Sequence, residues 1–378
     1  LPFNKRLLKN LDYLLIAVIF CILALSLLVL SSATANISSD PLFFVKKQLL
    51  AIGLGGICAV FMMAFDYNRL ARYQHFIYAV LLILLVIVMV KGHASRGAQQ
   101  WIVVGGSFLI QPSEFGKVMI IISFASYLAK REGKLNTLRD LLPSFFYFSV
   151  PFLLIVAQPD LGTALVFLAI LLGMLFFAGV RPGLLLGLIG GGLAVVVTAL
   201  ALHFSPLHLP LPLEEHQINR LISFIDPYRD PHNTGYQVIQ SLVAIGSGGL
   251  MGKGLYRGTQ IQSNFLPDHH TDFIFSVVGE ELGFLGAGLV LLLYFILISR
   301  SLKTAFFAGN TYGRLLVGGI ISMWLFHIFE NIGMTIGLMP VTGIPLPFLS
   351  YGGSSMLTNM VSVGLVLSVQ LRREKMLF

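Results

Sequence analysis

The fold class predicted for this 378-residue chain is an all-α polytopic membrane protein, with about ten transmembrane helices and a large extracytoplasmic loop between spans seven and eight. Three observations predict it. Apolar residues make up 56% of the sequence. Only 42 residues are charged, 25 Lys and Arg plus 17 Asp and Glu, or 11%, against about a quarter in a soluble globular chain. Those charges fall between apolar runs that reach the roughly 20 residues a membrane helix needs. Ten spans of that length use roughly 200 positions, so residues 1–378 read as a single membrane domain.

The first span, at 11–31, follows Lys5, Arg6 and Lys9 in the manner of a signal sequence. It is long enough to cross the bilayer and no small-residue cleavage site leads into a soluble domain, so it reads as a retained helix. Further spans are expected at 47–65, 72–91, 114–129, 142–158, 161–180, 183–203, 273–299, 314–337 and 351–371. Ten spans put both termini on one side. With the N-terminus in the cytoplasm, 16 of the 25 basic residues face inward, including Lys130, Arg131, Lys134 and Arg139, as the positive-inside rule requires. The net charge of +8 is therefore a topology signal, and a nucleic-acid partner is set aside. Cys21 and Cys58 both lie in apolar runs, which removes a disulfide framework, a cysteine metal cluster and redox chemistry. The chain starts at Leu1 rather than Met, pointing to a few missing leading residues.

Within the seventh span, Gly183, Gly187 and Gly191 recur every four residues, a ridge expected to pack against a neighbouring helix. No repeat of 20 to 50 residues and no pair of matching interrupted helices is visible, which weakens an inverted-repeat transporter architecture. The connection at 204–271 is far longer than an ordinary helix-to-helix turn and is expected to shape an outer vestibule. Ile218, Leu221, Ile222 and Ile225 recur at i, i+3, i+4 and i+7, the pattern of an amphipathic helix lying on the membrane or on the bundle. Asp226-Pro227 ends it. A second helical piece from Tyr236 to Ile245 runs into the glycines of Ile245-Gly246-Ser247-Gly248-Gly249-Leu250.

A charge at a membrane-helix centre costs about 2.5 to 3.5 kcal/mol on insertion scales, so each ionisable group there needs a reason. Asp272 opens the eighth span. Its residue type suits either a general base, with a pKa raised by partial burial, or, like Thr271, an ordinary helix N-cap. Glu280 and Glu281 are expected about 12 to 13 Å further down that helix, in a structural network. Lys117 and the face of His327, Glu330 and Asn331 are the candidate partners. His269-His270 is a weak metal motif without a third ligand. Arg96, Lys117, Arg220, Lys253 and Arg257 are the outer cations suited to a phosphate-bearing lipid, and Gly252-Lys253-Gly254 adds freed backbone donors or is simply a flexible turn. Glu114 and Asp160 mark outer helix starts, where capping alone explains them.

Taken together, several stretches resemble the SEDS (shape, elongation, division, sporulation) family over nearly the whole chain. They are Gln111-Pro112-Ser113-Glu114-Phe115, Gln158-Pro159-Asp160-Leu161-Gly162-Thr163, the run from Ile245 to Gly254, Phe265-Leu266-Pro267 with His270-Thr271-Asp272-Phe273-Ile274-Phe275, and Pro345-Leu346-Pro347-Phe348-Leu349-Ser350-Tyr351-Gly352-Gly353-Ser354. The Ile-Gly-Ser-Gly-Gly-Leu stretch with Gly258-Thr259-Gln260 is more similar to the elongation branch than to the division branch. The resemblance implies a peptidoglycan glycosyltransferase of the bacterial cytoplasmic (inner) membrane. It would polymerise lipid II at the outer face beside a class B penicillin-binding protein (a transpeptidase) and other elongation-complex proteins, in contact with membrane lipid. It implies Asp272 as the catalytic aspartate and puts Glu114, Lys117 and Asp160 in the working cavity. One departure stands out: Gln100 precedes Trp101 where the family carries Arg, and Arg96 is the candidate substitute. No cofactor is expected for certain. A divalent cation would suit the pyrophosphate, although no ligand cluster is visible. A lipid II flippase and a non-catalytic scaffold of the elongation complex, in which Asp272 only caps a helix, are the alternatives.

Overall fold

The computed structural model describes residues 11–37, 40–95, 98–104, 108–205, 215–229 and 234–373. Arg96 and the topology markers Lys5, Arg6, Lys9 and Lys375 lie outside them. Helices stand where each of the ten spans is expected: α1 (Tyr13–Ala33), α2 (Phe43–Ala64), α4 (Gln74–Lys91), α5 (Pro112–Ala129), α6 (Leu138–Val156), α7 (Leu161–Phe177), α8 (Pro182–Phe204), α12 (Ile274–Phe306), α13 (Thr311–Thr335) and α14 (Gly353–Leu371). Eight of the described helices are long and apolar enough to cross a membrane unaided. The two remaining are α7, which has 17 residues, and α5, which carries the charges of Glu114 and Lys117. The chain is a multi-pass, all-α membrane protein.

Shorter elements fill the connections. Tyr67–Arg72 forms α3, and in the long loop lie α9 (Glu215–Ile225), α10 (Thr234–Gly248) and α11 (Thr259–Gln262). A small antiparallel sheet, β1 (His93–Ser95), β2 (Ala98–Val104) and β3 (Phe108–Ile110), joins α4 to α5 in the order β1-β2-β3. Its pairing sets Ile102 against Ile110. This sheet is absent from the sequence reading, because strands this short carry too few alternations to register.

Burial ranks the helices. The apolar windows of α13 and α14 are 72% and 83% buried, so these two form the centre, whereas that of α8 is 6% buried and lies at the periphery. Trp324 donates its indole N–H to Asn359 Oδ1 at 2.8 Å, tying α13 to α14. The glycine ridge of α8 is corrected here: nothing lies within 4 Å of a Cβ built at Gly183, Gly187 or Gly191, so the ridge packs on no other part of the described chain. Helix α9 is amphipathic as its periodicity predicts, but it turns its polar side inward. Gln217 and Ser223 are buried, whereas Ile218, Leu221 and Ile222 are half-buried and Ile225 is exposed.

The eighth span departs most from expectation. Helix α12 breaks at Gly283, whose φ of 67° and ψ of −162° lie outside the helical region. The segment from 284 to 306 has 23 residues, about 34 Å, long enough to cross a bilayer on its own. Phe284, Leu285 and Phe295 expose its apolar side, whereas Ile274, Phe275, Ser276, Val277, Val278, Glu280 and Glu281 of the first half are all buried in protein. The glutamates therefore sit at the break, not at the centre of a continuous membrane helix.

Residues 249–254 occupy that break. Lys253 and Gly254 donate their backbone N–H groups to the carbonyls of Glu280 (3.0 Å) and Glu281 (2.9 Å), while Phe284 and Leu285 donate to those of Gly249 (2.9 Å) and Leu250 (3.1 Å). A helix interruption survives in an apolar medium only when its freed backbone groups are satisfied this way. The expected partners of Glu280 and Glu281 are also corrected. Glu280 Oε1 accepts from Lys253 Nζ at 2.7 Å and from the Gln260 N–H at 3.0 Å, and Oε2 from the Ile261 N–H at 3.2 Å. Glu281 Oε1 accepts from Ser32 Oγ at 2.6 Å. Lys117 pairs elsewhere, as described below.

Gly283 has a positive φ, and a Cβ there would overlap the Gly252 nitrogen. Gly283→Ala is therefore expected to lose about 4 kcal/mol or more of stability. Gly53→Ala, on an α2 face with nothing within 4 Å, should shift it by no more than about 1 kcal/mol. Equilibrium unfolding in micelles tests this, and equal midpoints for the two variants would refute the account of the break.

Candidate active site

The polar residues that the sequence scatters over the starts of three spans and the long loop converge on one cavity of about 530 Å³. That volume lies in the ordinary range for ligand sites. Asp272, Glu114, Lys117, Asp160 and Arg220 all line it, as do Gln100 and Trp101 of β2.

Asp272 is presented by a tight turn. Asp268 adopts a left-handed φ of 54°, and its carbonyl accepts from the N–H groups of Thr271 (3.1 Å), Asp272 (3.0 Å) and Phe273 (3.3 Å). Both ring nitrogens of His269 face carbonyl oxygens, Leu266 at 2.6 Å and Ala33 at 2.7 Å. Each nitrogen is turned to a carbonyl rather than to a metal position, so His269 clamps the turn. The Tyr351 N–H donates to the His270 carbonyl at 3.0 Å. The N-cap of α12 is Phe273, so neither Thr271 nor Asp272 is the capping residue. Asp272 instead faces the cavity, with Gly343 directly beside it: a Cβ on Gly343 would lie 3.3 Å from Asp272 Oδ2.

Across the cavity, Pro112 opens α5 and Glu114 sits in its first turn, where a carboxylate is favoured by the helix dipole. Glu114 Oε1 and Lys117 Nζ form a buried ion pair at 2.7 Å. Lys117 Nζ also meets His327 Nε2 at 3.0 Å, while His327 Nδ1 faces the Met323 carbonyl at 2.7 Å. The carbonyl requires a donor, so Nδ1 carries the proton and Nε2 accepts from the ammonium. Asp160 is both things the sequence allows, the N-cap of α7 and a cavity residue: its Oδ1 accepts the Thr163 N–H at 3.0 Å. Burial pushes the Asp160 carboxyl above the usual carboxylate range, against the opposing pull of its Thr163 hydrogen bonds and the Lys117 charge. Gln111 Nε2 bridges Asp160 Oδ2 (3.4 Å) and Gln100 Oε1 (3.2 Å). The residue at the departure from the family pattern thus joins the cavity wall as an acceptor rather than as a cation.

Helix α9 closes the side of the cavity. Gln217 Nε2 donates to the Pro159 carbonyl and Arg220 Nη1 to that of Thr342, each at 3.3 Å. Two expected substrate contacts are not brought here. Lys253 is held by Glu280, and Arg257 is exposed on the 249–261 segment; neither lines the cavity. Thr342, Gly343 and Gln217 went unread in the sequence. Gln217, Arg220 and Ser223, spaced three apart opposite the apolar side of α9, were the signal available for the last of these.

The Glu114–Lys117 pair is expected to respond asymmetrically to mutation. Lys117→Met alone strands a buried carboxylate and should cost about 3 to 5 kcal/mol. Adding Glu114→Gln should recover most of that loss. Denaturant unfolding of both single variants and the double variant measures the coupling, and additive losses would contradict the pairing.

The chain was compared with known proteins. A family model described as cell cycle protein, covering FtsW, RodA and SpoVE, matches residues 12–375. Stage V sporulation protein E of Bacillus subtilis (strain 168) is 38% identical over 369 residues, 95% of this chain and 96% of that protein. Peptidoglycan glycosyltransferase MrdB of Escherichia coli (strain K12) is 37% identical over 365 residues, 97% of this chain and 95% of that protein. A solved structure showing structural coordination of polymerization and crosslinking by a peptidoglycan synthase complex is 32% identical, with a TM-score of 0.78 over 95% of this chain and 97% of the other. Identities of 38% and 37% do not separate the branches, but the match over nearly the full length settles the larger question: this chain belongs to the FtsW/RodA/SpoVE family, the SEDS proteins its motifs resemble.

Proposed function

We propose that the chain is a peptidoglycan glycosyltransferase that polymerises lipid II into β-1,4-linked glycan strands for cell elongation and rod shape. The observation that carries this reading is the convergence of Asp272, Glu114, Lys117, Asp160 and Arg220 on one cavity, in a family whose member MrdB is named a peptidoglycan glycosyltransferase. Asp272 is the general base. It accepts the proton of the GlcNAc 4-hydroxyl on one lipid-linked disaccharide as that oxygen attacks the MurNAc anomeric carbon of another. The new C–O bond forms opposite the breaking bond to pyrophosphate. Undecaprenyl pyrophosphate leaves, and the α-linked donor becomes a β-linked product without an enzyme nucleophile.

Lys117 and Arg220 supply the positive charge that neutralises the departing pyrophosphate. A divalent cation has no evident holder: among the described residues no group of three His, Cys, Asp or Glu side chains is placed to bind one. No step is routed through it. The active site faces the outer side of the bacterial inner membrane, with both termini in the cytoplasm. The partner is a class B penicillin-binding protein, which the likeness to a peptidoglycan synthase complex supports. Phe273, not Asp272, occupies the N-cap position of α12, which supports a role for Asp272 beyond capping.

The reconstituted chain with its penicillin-binding partner is expected to polymerise purified lipid II. Asp272→Asn at matched folding should lower the rate by about 100-fold or more. Equal polymer from both would remove Asp272 from the mechanism. Absence of polymer from either, with labelled lipid II translocated across vesicles, would establish the flippase instead.

A further inference from the structure

His327, Glu330 and Asn331 share one face of α13, and each is buried. Each holds a different part of the cavity wall. His327 meets Lys117 at 3.0 Å. Glu330 Oε1 accepts from Thr342 Oγ1 at 2.9 Å. Asn331 Nδ2 donates twice, to the Asp272 carbonyl at 2.7 Å and to the Ile344 carbonyl at 2.8 Å.

The bonds of Asn331 tie the backbone that carries the Asp272 carboxylate to the neighbouring loop. Two carbonyl oxygens can be faced only by the NH₂ end of the amide, so the orientation of the side chain is fixed by its partners. One amide therefore staples the turn that presents Asp272 to the loop that carries Gly343, and Gly343 lies beside the Asp272 carboxylate. Asn331 Oδ1 is buried with no hydrogen-bond partner among the described residues, which costs stability. An apolar side chain would avoid that cost but would give up both donations.

We infer that Asn331 is a positioning residue for Asp272, fixing the distance between the Asp272 turn and the 342–344 loop so that the carboxylate is held at the cavity. The inference rests on the reading of Asp272 as the base. Asn331 itself does not line the cavity, so it acts on the placement of the base and not on substrate affinity.

The experiment compares the intact chain and its partner, wild type, Asn331→Leu, Asn331→Ser and Tyr78→Phe, for lipid II polymerisation, thermal midpoint and carbodiimide labelling of Asp272 read by mass spectrometry. Tyr78→Phe removes a hydrogen bond to the Tyr147 carbonyl outside the cavity and reports what a lost tertiary contact does alone. Asn331→Leu is expected to lower kcat by about 10- to 100-fold with KM within about twofold. Asn331→Ser, keeping one donor, should fall between it and wild type, and Tyr78→Phe should keep its kcat. Labelling of Asp272 should change in Asn331→Leu while that of Asp160 does not. An unchanged kcat, or kcat and KM moving together with the midpoint as in Tyr78→Phe, would overturn the positioning role. An inactive wild type would sink the glycosyltransferase reading instead. In that case the labelling alone decides, and identical Asp272 labelling in wild type and Asn331→Leu counts against Asn331.

Discussion

A protein surrounded by hydrocarbon must satisfy its polar backbone from within, and the architecture around Asp272 depends on how that is done at Gly283. A continuous helix from 274 to 306 would carry its own hydrogen bonds but would give the glutamates no loop to bind. Breaking it frees two carbonyls and two N–H groups, and the segment at 249–254 takes all four. The same segment brings Lys253 to Glu280, so the compensation for the broken backbone and for the buried carboxylate is one structure. Glycine is required on both sides, because Gly252 and Gly283 approach within overlap distance of any Cβ. The first half of α12 is left wrapped in protein, with Asp272 two residues before its start.

The central helix α13 does for the cavity what the 249–254 segment does for the break. A helix buried over most of its length in an apolar bundle gains nothing from polar side chains unless each is answered. His327 is answered by α5, Glu330 by Thr342, and the NH₂ group of Asn331 by the Asp272 turn with Ile344. Three walls from distant parts of the sequence are thereby referenced to one rigid element. This is the arrangement a preorganised site needs, since dipoles and charges held before the reaction cost no reorganisation during it.

Much of this was legible in the sequence, for identifiable physical reasons. Span positions follow from apolar length, and α9 follows from a period of 3.6 residues. The cavity residues Asp272, Glu114, Lys117 and Asp160 stand in short local motifs. Pairing was not legible. Lys253 binds Glu280 rather than a phosphate, and Lys117 binds Glu114 and His327 rather than Glu280, because charge and residue type do not reveal which loop folds onto which helix. Gly283 looked like any glycine in a span, for a break shows only in the backbone that fills it. The α8 ridge misled for the opposite reason: small-residue spacing states that close packing is permitted, not that a neighbour is present within the chain.

The orientation of α9 connects the fold to the kind of molecule the proposal requires. In a water-soluble protein the apolar side of such a helix faces the core. Here Gln217 and Ser223 are buried, Arg220 reaches the cavity wall, and Ile225 is left on the surface. A helix whose polar residues are buried while its apolar stripe is only half covered suits a boundary between a polar interior and an apolar exterior. The exposed apolar faces of α8 and of the second half of α12 continue the same boundary. A lipid-linked disaccharide has these two characters in one molecule, a polar pyrophosphate and sugar joined to a long hydrocarbon. The polar cavity behind α9 suits the headgroup, and the lipid outside it suits the chain. On that proposal the substrate need not leave the membrane for its anomeric carbon to meet Asp272.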